Sequence, residues 1–133
     1  KLKDIVIGMS AYTNSGYINN FDFKGNLAPC CSYELLSKAV EAGKKLDCNV
    51  VCGPIFSSDI FYTGKNMQPE LWELGILAVE MEAAALYLNA AKAKKNALAI
   101  CTISDSLVTG EELSGEERQI GFRNMMEMAL SIA

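Results

Sequence analysis

Short apolar runs alternating with stretches of helical character constrain this 133-residue chain more than any other feature. Asp4 to Met9, Cys48 to Phe56, Ile76 to Val79 and Ala97 to Ile103 each read as a strand bounded by polar or glycine-containing segments. The last run is apolar almost throughout. That fits a strand covered on both faces, as in a parallel sheet. Between the runs, Ser32 is placed to cap a helix reaching about Leu46, with Leu35, Leu36, Val40 and Leu46 on its apolar face and Glu34 in its first turn. Pro69 suits the first turn of a short helix ending before Gly75. The alanine-rich segment from Glu82 to Lys95 has strong helix propensity, with Lys92, Lys94 and Lys95 favourable at its end. A final helix is predicted from about Ser114 to Ile132, carrying Ile120, Met125, Met128 and Leu130. Thr13 to Asn26 reads as a long loop. There is no repeat or linker, so residues 1–133 are predicted to form a single α/β unit with helices flanking a central mixed or parallel sheet.

Composition excludes several classes of function. Half of the residues are hydrophobic, enough for a real core, and the formal net charge is −4 with scattered lysines, which argues against a nucleic-acid surface. No apolar run approaches membrane-spanning length. The five cysteines form no CxxC pair and there is no histidine, so a disulfide framework, a zinc site and a Cys/His nucleophile are not expected. The thiols suggest a reducing, cytoplasmic setting. The chain opens on Lys1-Leu2-Lys3-Asp4, without an initiator Met or a signal-peptide pattern, which predicts that a beginning is missing.

The chemistry is concentrated where acids follow apolar strands. Val79-Glu80-Met81-Glu82 closes one run and Ser104-Asp105 another. In open parallel sheets ligands sit beyond the carboxyl ends of strands, where Glu80, Glu82 and Asp105 are expected to fall. Each signal has a structural competitor. Glu80 and Glu82 could serve a helix N-terminus through its dipole, and Asp105 could be an N-cap or turn residue. Phe61 and Tyr62 would be core or rim aromatics in most folds, Met81 would fill core space, and Ser114 to Glu117 is a capping box beside Arg118.

Four blocks in order resemble one family: Ser57-Ser58-Asp59-Ile60-Phe61-Tyr62, Leu74 to Ala84, Cys101-Thr102-Ile103-Ser104-Asp105 and Glu116-Glu117-Arg118-Gln119. Together they resemble the bacterial, hexameric type of purine nucleoside phosphorylase, over essentially the whole chain. The start resembles the middle of such enzymes, so the chain is expected to be the carboxy-terminal part of a nucleoside phosphorylase domain.

The resemblance implies a role for each matching residue. Glu82 would accept hydrogen bonds from both ribose hydroxyls while Met81 packs against the sugar. Phe61 would contact the base, and Val79 and Glu80 would line the same pocket. Asp105, with Ser104 beside it, would protonate the purine at N7 as the glycosidic bond breaks, its acid form favoured by desolvation. Arg118 would approach Asp105 when the last helix rearranges. Asp105 and Arg118 are thus the expected catalytic residues. A purine nucleoside and phosphate are the implied partners, with phosphate as co-substrate, no cofactor or metal, and a homo-oligomer, hexameric in the family.

One departure from the family matters. Its phosphate is held by a glycine-containing loop and arginines of the amino-terminal portion, whereas the arginines here are Arg118 and Arg123, both late. This chain is therefore expected to lack a phosphate site and to be inactive alone. Two other functions stand beside phosphorolysis: a methylthioadenosine or adenosylhomocysteine nucleosidase, which uses water, and a non-catalytic nucleoside-binding fragment. Phe61-Tyr62 and Glu117-Arg118 favour the phosphorylase.

Overall fold

The computed structural model describes residues 1–61 and 70–133, leaving aside the side chains of residues 120 and 121. Four strands, β1 (Ile5–Thr13), β2 (Val50–Ser57), β3 (Val79–Glu80) and β4 (Ala99–Thr102), form one sheet in the order β3-β2-β1-β4. Strand β2 runs parallel to β1 from Ile5↔Val50 to Thr13↔Ser57, and β3 runs parallel to β2 through Phe56↔Val79 and Ser57↔Glu80. Strand β4 departs from the parallel expectation. It lies antiparallel to β1, from Ile5↔Thr102 to Gly8↔Ala99.

The reason lies in the helix before β4. Helix α3 (Ala83–Ala93) starts beside Ser57, at the carboxyl end of β2, and its Tyr87 already reaches Gly8 in mid-β1. Eleven residues of α-helix span only about 16 Å, so the chain is delivered to the middle of β1 and β4 carries on toward the start of that strand. An apolar run records burial and not direction, which is why the sequence pattern misleads here.

Both faces of the sheet are covered over its first half. Val6, Ala11 and Ile55 pack with Ala83, Ala84 and Tyr87 of α3. Ile5 and Ile7 pack on the opposite face with Ala39 of α1 (Tyr33–Gly43) and with Met128 and Ile132 of α5 (Arg123–Ile132). Val6 and Ala11 share a face despite their odd spacing because the register shifts between Gly8 and Ser10, inserting one residue in β1.

The other elements differ from expectation mainly at their ends. Strand β1 extends through Thr13 and the following loop holds a 3-10 turn, Gly16–Asn20. Ser32 occupies the N-cap of α1 without a side-chain cap bond, and the helix closes at Gly43. The short helix α2 is Glu70–Glu73, while Tyr62, residues 63–66 and Pro69 lie outside the described residues. The single final helix is two, α4 (Gly115–Gly121) and α5, divided at Phe122 after a glycine, a weak helix former. Of its proposed apolar face, Met125 and Met128 join the core, whereas Leu130 is 80% exposed and the side chain of Ile120 is not described. Among the described residues no helix is long and apolar enough to cross a membrane.

Candidate active site

The residues singled out above fall into two groups held by different parts of the sheet. The first group lies where β2 and β3 end and α3 begins. An α-helix opens with N–H groups that have no partner inside the helix. Glu80 supplies one: a carboxylate oxygen accepts from the amides of Glu82 at 2.7 Å and Ala83 at 2.6 Å. Its second oxygen accepts from the hydroxyl of buried Ser57, and the same hydroxyl accepts from the amide of Ala84 at 2.9 Å. Two side chains from adjacent strands therefore bind three successive amides of the helix start. Bonds to a charged acceptor contribute about 1.5–3 kcal/mol each where water is excluded. Glu80 is thus fully engaged in the fold.

Glu82 is exposed, and among the described residues its carboxylate accepts only from the amide of Met81 at 3.3 Å. Beside it an open depression of about 390 Å³ is lined by Met81, Ser57, Asp59, Thr13, Ser15 and Tyr17. Phe61 is 69% exposed at the end of the described segment, Met81 is 41% exposed and Val79 is half-buried. Across the sheet lies Cys101. Burial pushes its thiol up to about 11, with the carboxylates of Glu80 and Glu82 adding to the rise, so the thiol stays neutral at physiological pH.

The second group follows β4. Residues 104–113 turn back on themselves: Ser106 N–H donates to Glu111 O at 2.8 Å, Leu113 N–H to Ser104 O at 2.8 Å, and Gly110 takes the left-handed conformation the turn requires. Leu113 is buried, and Ser114 then starts α4 with both halves of the expected capping box. One turn into that helix the Arg118 guanidinium returns to the loop. Its Nη2 lies 2.7 Å from Asp105 Oδ1, and its Nε donates to Leu113 O at 2.9 Å. The hydroxyl of Ser104 donates to Asp105 Oδ2 at 2.5 Å. Arg118 therefore already touches Asp105, with no rearrangement of the last helix needed to bring them together.

Because β4 is antiparallel, the carboxyl ends of β3 and β4 lie toward opposite ends of β1, and the shared-edge argument from sequence does not hold. No hydrogen bond or ion pair joins Glu80 or Glu82 to Asp105 or Arg118 among the described residues. What relates the two groups is electrostatic: the carboxylates of Glu80 and Glu82 add to the rise of the Cys101 thiol, four residues before Asp105. Sequence reasoning gave Ser57 and Tyr87 no role. Ser57 ends a strand as Glu80 does, a signal that could have paired them; Tyr87 sits in an alanine-rich helix and gives none. Among the described residues no group of three or more His, Cys, Asp or Glu side chains is placed to hold a metal ion.

Comparison with known proteins fits this geometry. The chain belongs to the phosphorylase superfamily, whose family model matches residues 1–132. Within it, the chain is 46% identical over 135 residues to a DeoD-type purine nucleoside phosphorylase of Clostridium novyi (strain NT), and 49% identical over 138 residues to one of Thermoanaerobacter sp. (strain X514). Each match takes in the whole of this chain but 58% of the relative, so the chain spans little more than half the length of these proteins. The fold resembles the crystal structure of purine nucleoside phosphorylase from Toxoplasma gondii in complex with immucillin-H, with a TM-score of 0.82 at 17% identity, over 99% of this chain and 55% of that one.

Proposed function

We propose that this chain is the carboxy-terminal part of a purine nucleoside phosphorylase. In the proposed reaction a phosphate oxygen forms a bond to C1′ of the nucleoside as the bond from C1′ to N9 breaks. The products are the free purine and ribose 1-phosphate. The observation that carries the reading is the Ser104–Asp105–Arg118 cluster, an acid held between a hydroxyl and a guanidinium at the end of a strand. Asp105 takes up a proton from solvent as the nucleoside binds and passes it to N7, so that the base leaves neutral, and Arg118 stabilises the carboxylate that is restored. Glu82, free of the backbone duties that occupy Glu80, binds the ribose hydroxyls, with Met81 against the sugar and Phe61 and Val79 against the base. Glu80 reaches the pocket only through the helix it anchors.

Phosphate is the co-substrate, bound by residues outside this chain, and no cofactor takes part. The five unpaired thiols support a cytoplasmic setting, and the exposed apolar side chains, among them Tyr33, Val108 and Leu130, support a homo-oligomer.

Cleavage of adenosine and inosine by the full-length protein, with and without phosphate, tests the reading. Phosphate-dependent release of base supports it, and phosphate-independent release would identify a hydrolase instead. Asp105→Asn should lower kcat/KM for adenosine at least about a hundredfold and affect inosine less, since a 6-oxopurine is the better leaving group and a neutral donor near N7 suffices. Arg118→Ala should act in the same direction with a smaller effect. Equal, small losses for both nucleosides would make Asp105 a turn residue. Residues 1–133 alone should show no phosphorolysis.

A further inference from the structure

Strands β1 and β4 are joined at one point by a side chain. Ile103 N–H donates to Asp4 O at 2.9 Å, and in an antiparallel ladder such hydrogen-bonded pairs recur at every second residue. Val6/Cys101 and Gly8/Ala99 are the next two pairs in register. At Gly8/Ala99, where a regular ladder would join the amide of Ala99 to the carbonyl of Gly8, the hydroxyl of Tyr87 stands between them. It accepts from Ala99 N–H at 3.0 Å and donates to Gly8 O at 2.5 Å.

The surroundings are shaped for that hydroxyl. Tyr87 is 1% exposed. A Cβ on residue 8 would come within 3.0 Å of the Tyr87 oxygen and 2.7 Å of Ile55 Cδ1, so glycine there leaves the space the phenol fills. Burial, with smaller contributions from Cys31, Cys101 and Glu80, holds the phenol well above its ordinary range, so it keeps the proton it donates. Five residues back along α3 from Tyr87 is Glu82, and six residues along the chain from Ala99 is Asp105. The hydroxyl is therefore the direct tie between the helix that presents one group and the strand that presents the other.

We infer that Tyr87 is a positioning residue whose hydroxyl, a rung between α3, β1 and β4, sets the distance from the sugar-binding Glu82 to the proton-donating Asp105. The inference rests on the phosphorylase reading above. Removing the rung leaves α3 and β4 held to each other by apolar packing without a directional bond, and a misplacement of about 1 Å between a bound sugar and a proton donor is enough to slow proton transfer up to a hundredfold. A nucleoside whose base needs no proton should be much less affected. In 7-methylguanosine the purine already carries the positive charge that N7 protonation would create.

The test compares Tyr87→Phe with wild type in the full-length protein, on adenosine and 7-methylguanosine at saturating phosphate. We expect kcat for adenosine to fall about tenfold or more and kcat for 7-methylguanosine less than about threefold, with KM for phosphate unchanged. Hydrogen exchange at the Ala99 amide should quicken. Equal losses on both nucleosides, or none, overturn the inference, because simple destabilisation removes activity without regard to the leaving group. Should Tyr87→Phe not fold, 4-fluorophenylalanine at position 87 keeps the ring and fills the space of the hydroxyl while removing the O–H donor, and an unchanged ratio of the two activities overturns the inference equally. Wild-type protein that cleaves neither nucleoside with phosphate instead overturns the phosphorylase reading itself.

Discussion

The two ends of β1 use their acidic residues in opposite ways. At the α3 end the labour is divided between neighbours: Glu80 spends both carboxylate oxygens on Ser57 and the helix amides, while Glu82 makes one long contact and faces outward. At the β4 end one residue serves both purposes. The backbone of Asp105 pairs with Glu112 to shape the turn, while its side chain meets Ser104 and Arg118. An acid after a strand therefore does not declare its use. The use follows from how much of its acceptor capacity the local backbone consumes, which depends on whether a helix starts there with unpaired amides.

The largest effect that could break this contrast is expected at Glu82. In the full-length protein Glu82→Ala should weaken nucleoside binding and turnover by roughly 2–4 kcal/mol, because ribose hydroxyls lose a charged acceptor. Thermal stability should hardly move, since the side chain supports little of the fold. A milder loss with 2′-deoxynucleosides than with ribonucleosides would sharpen the assignment, and near-normal kinetics would sink it.

Glu80→Ala should invert that pattern. Two amides at the start of α3 and the hydroxyl of Ser57 lose their partner, but the amide of Glu82 is open to water, so the expected loss is about 1–2 kcal/mol of stability. Thermal unfolding of Glu80→Ala and Glu82→Ala side by side is the check. Equal destabilisation by both would end the division of labour between them.

The same contrast explains what could be read from sequence. Strands β1, β2 and β4, the helix beginning near Glu82, the capping box at Ser114 and Glu117 and the late position of Arg118 follow from local chemistry, so they were legible; the strand expected over Ile76 to Val79 was not, since β3 is only Val79–Glu80. The direction of β4 was not, because it depends on how far α3 carries the chain along β1. The roles of Ser57 and Tyr87 were hidden for the same reason. Ser57 acts across 23 residues on Glu80 and Tyr87 across 79 on Gly8, and no periodicity links positions so far apart. The break at Phe122 lay between the two: Gly121 was visible, but the amphipathic pattern ran past it.

The smallest expected effect concerns the base of α4, through which the Asp105 end is held. Ser114→Ala removes the hydroxyl that accepts from Glu117 N–H at 3.2 Å and should cost about 1 kcal/mol, as loss of an N-cap side chain commonly does. The reciprocal half of the box has its own pH signature. The Ser114 amide, followed by Lys3 and the Ser114 hydroxyl, holds the Glu117 carboxyl below its ordinary range. A carboxyl lowered in the folded state adds stability that is complete above its unfolded range and disappears as pH falls through the folded value. Glu117→Gln should therefore lower Tm slightly at pH 7, and the difference from wild type should shrink as pH falls below the ordinary carboxylate range and the folded Glu117 takes up its proton. High salt should shrink the neutral-pH difference as well, because Lys3 and Glu117 are both exposed. A difference in Tm that does not change as pH falls would mean that Glu117 supports α4 through packing rather than charge, and the Asp105 end would then owe none of its geometry to the charge of the capping box.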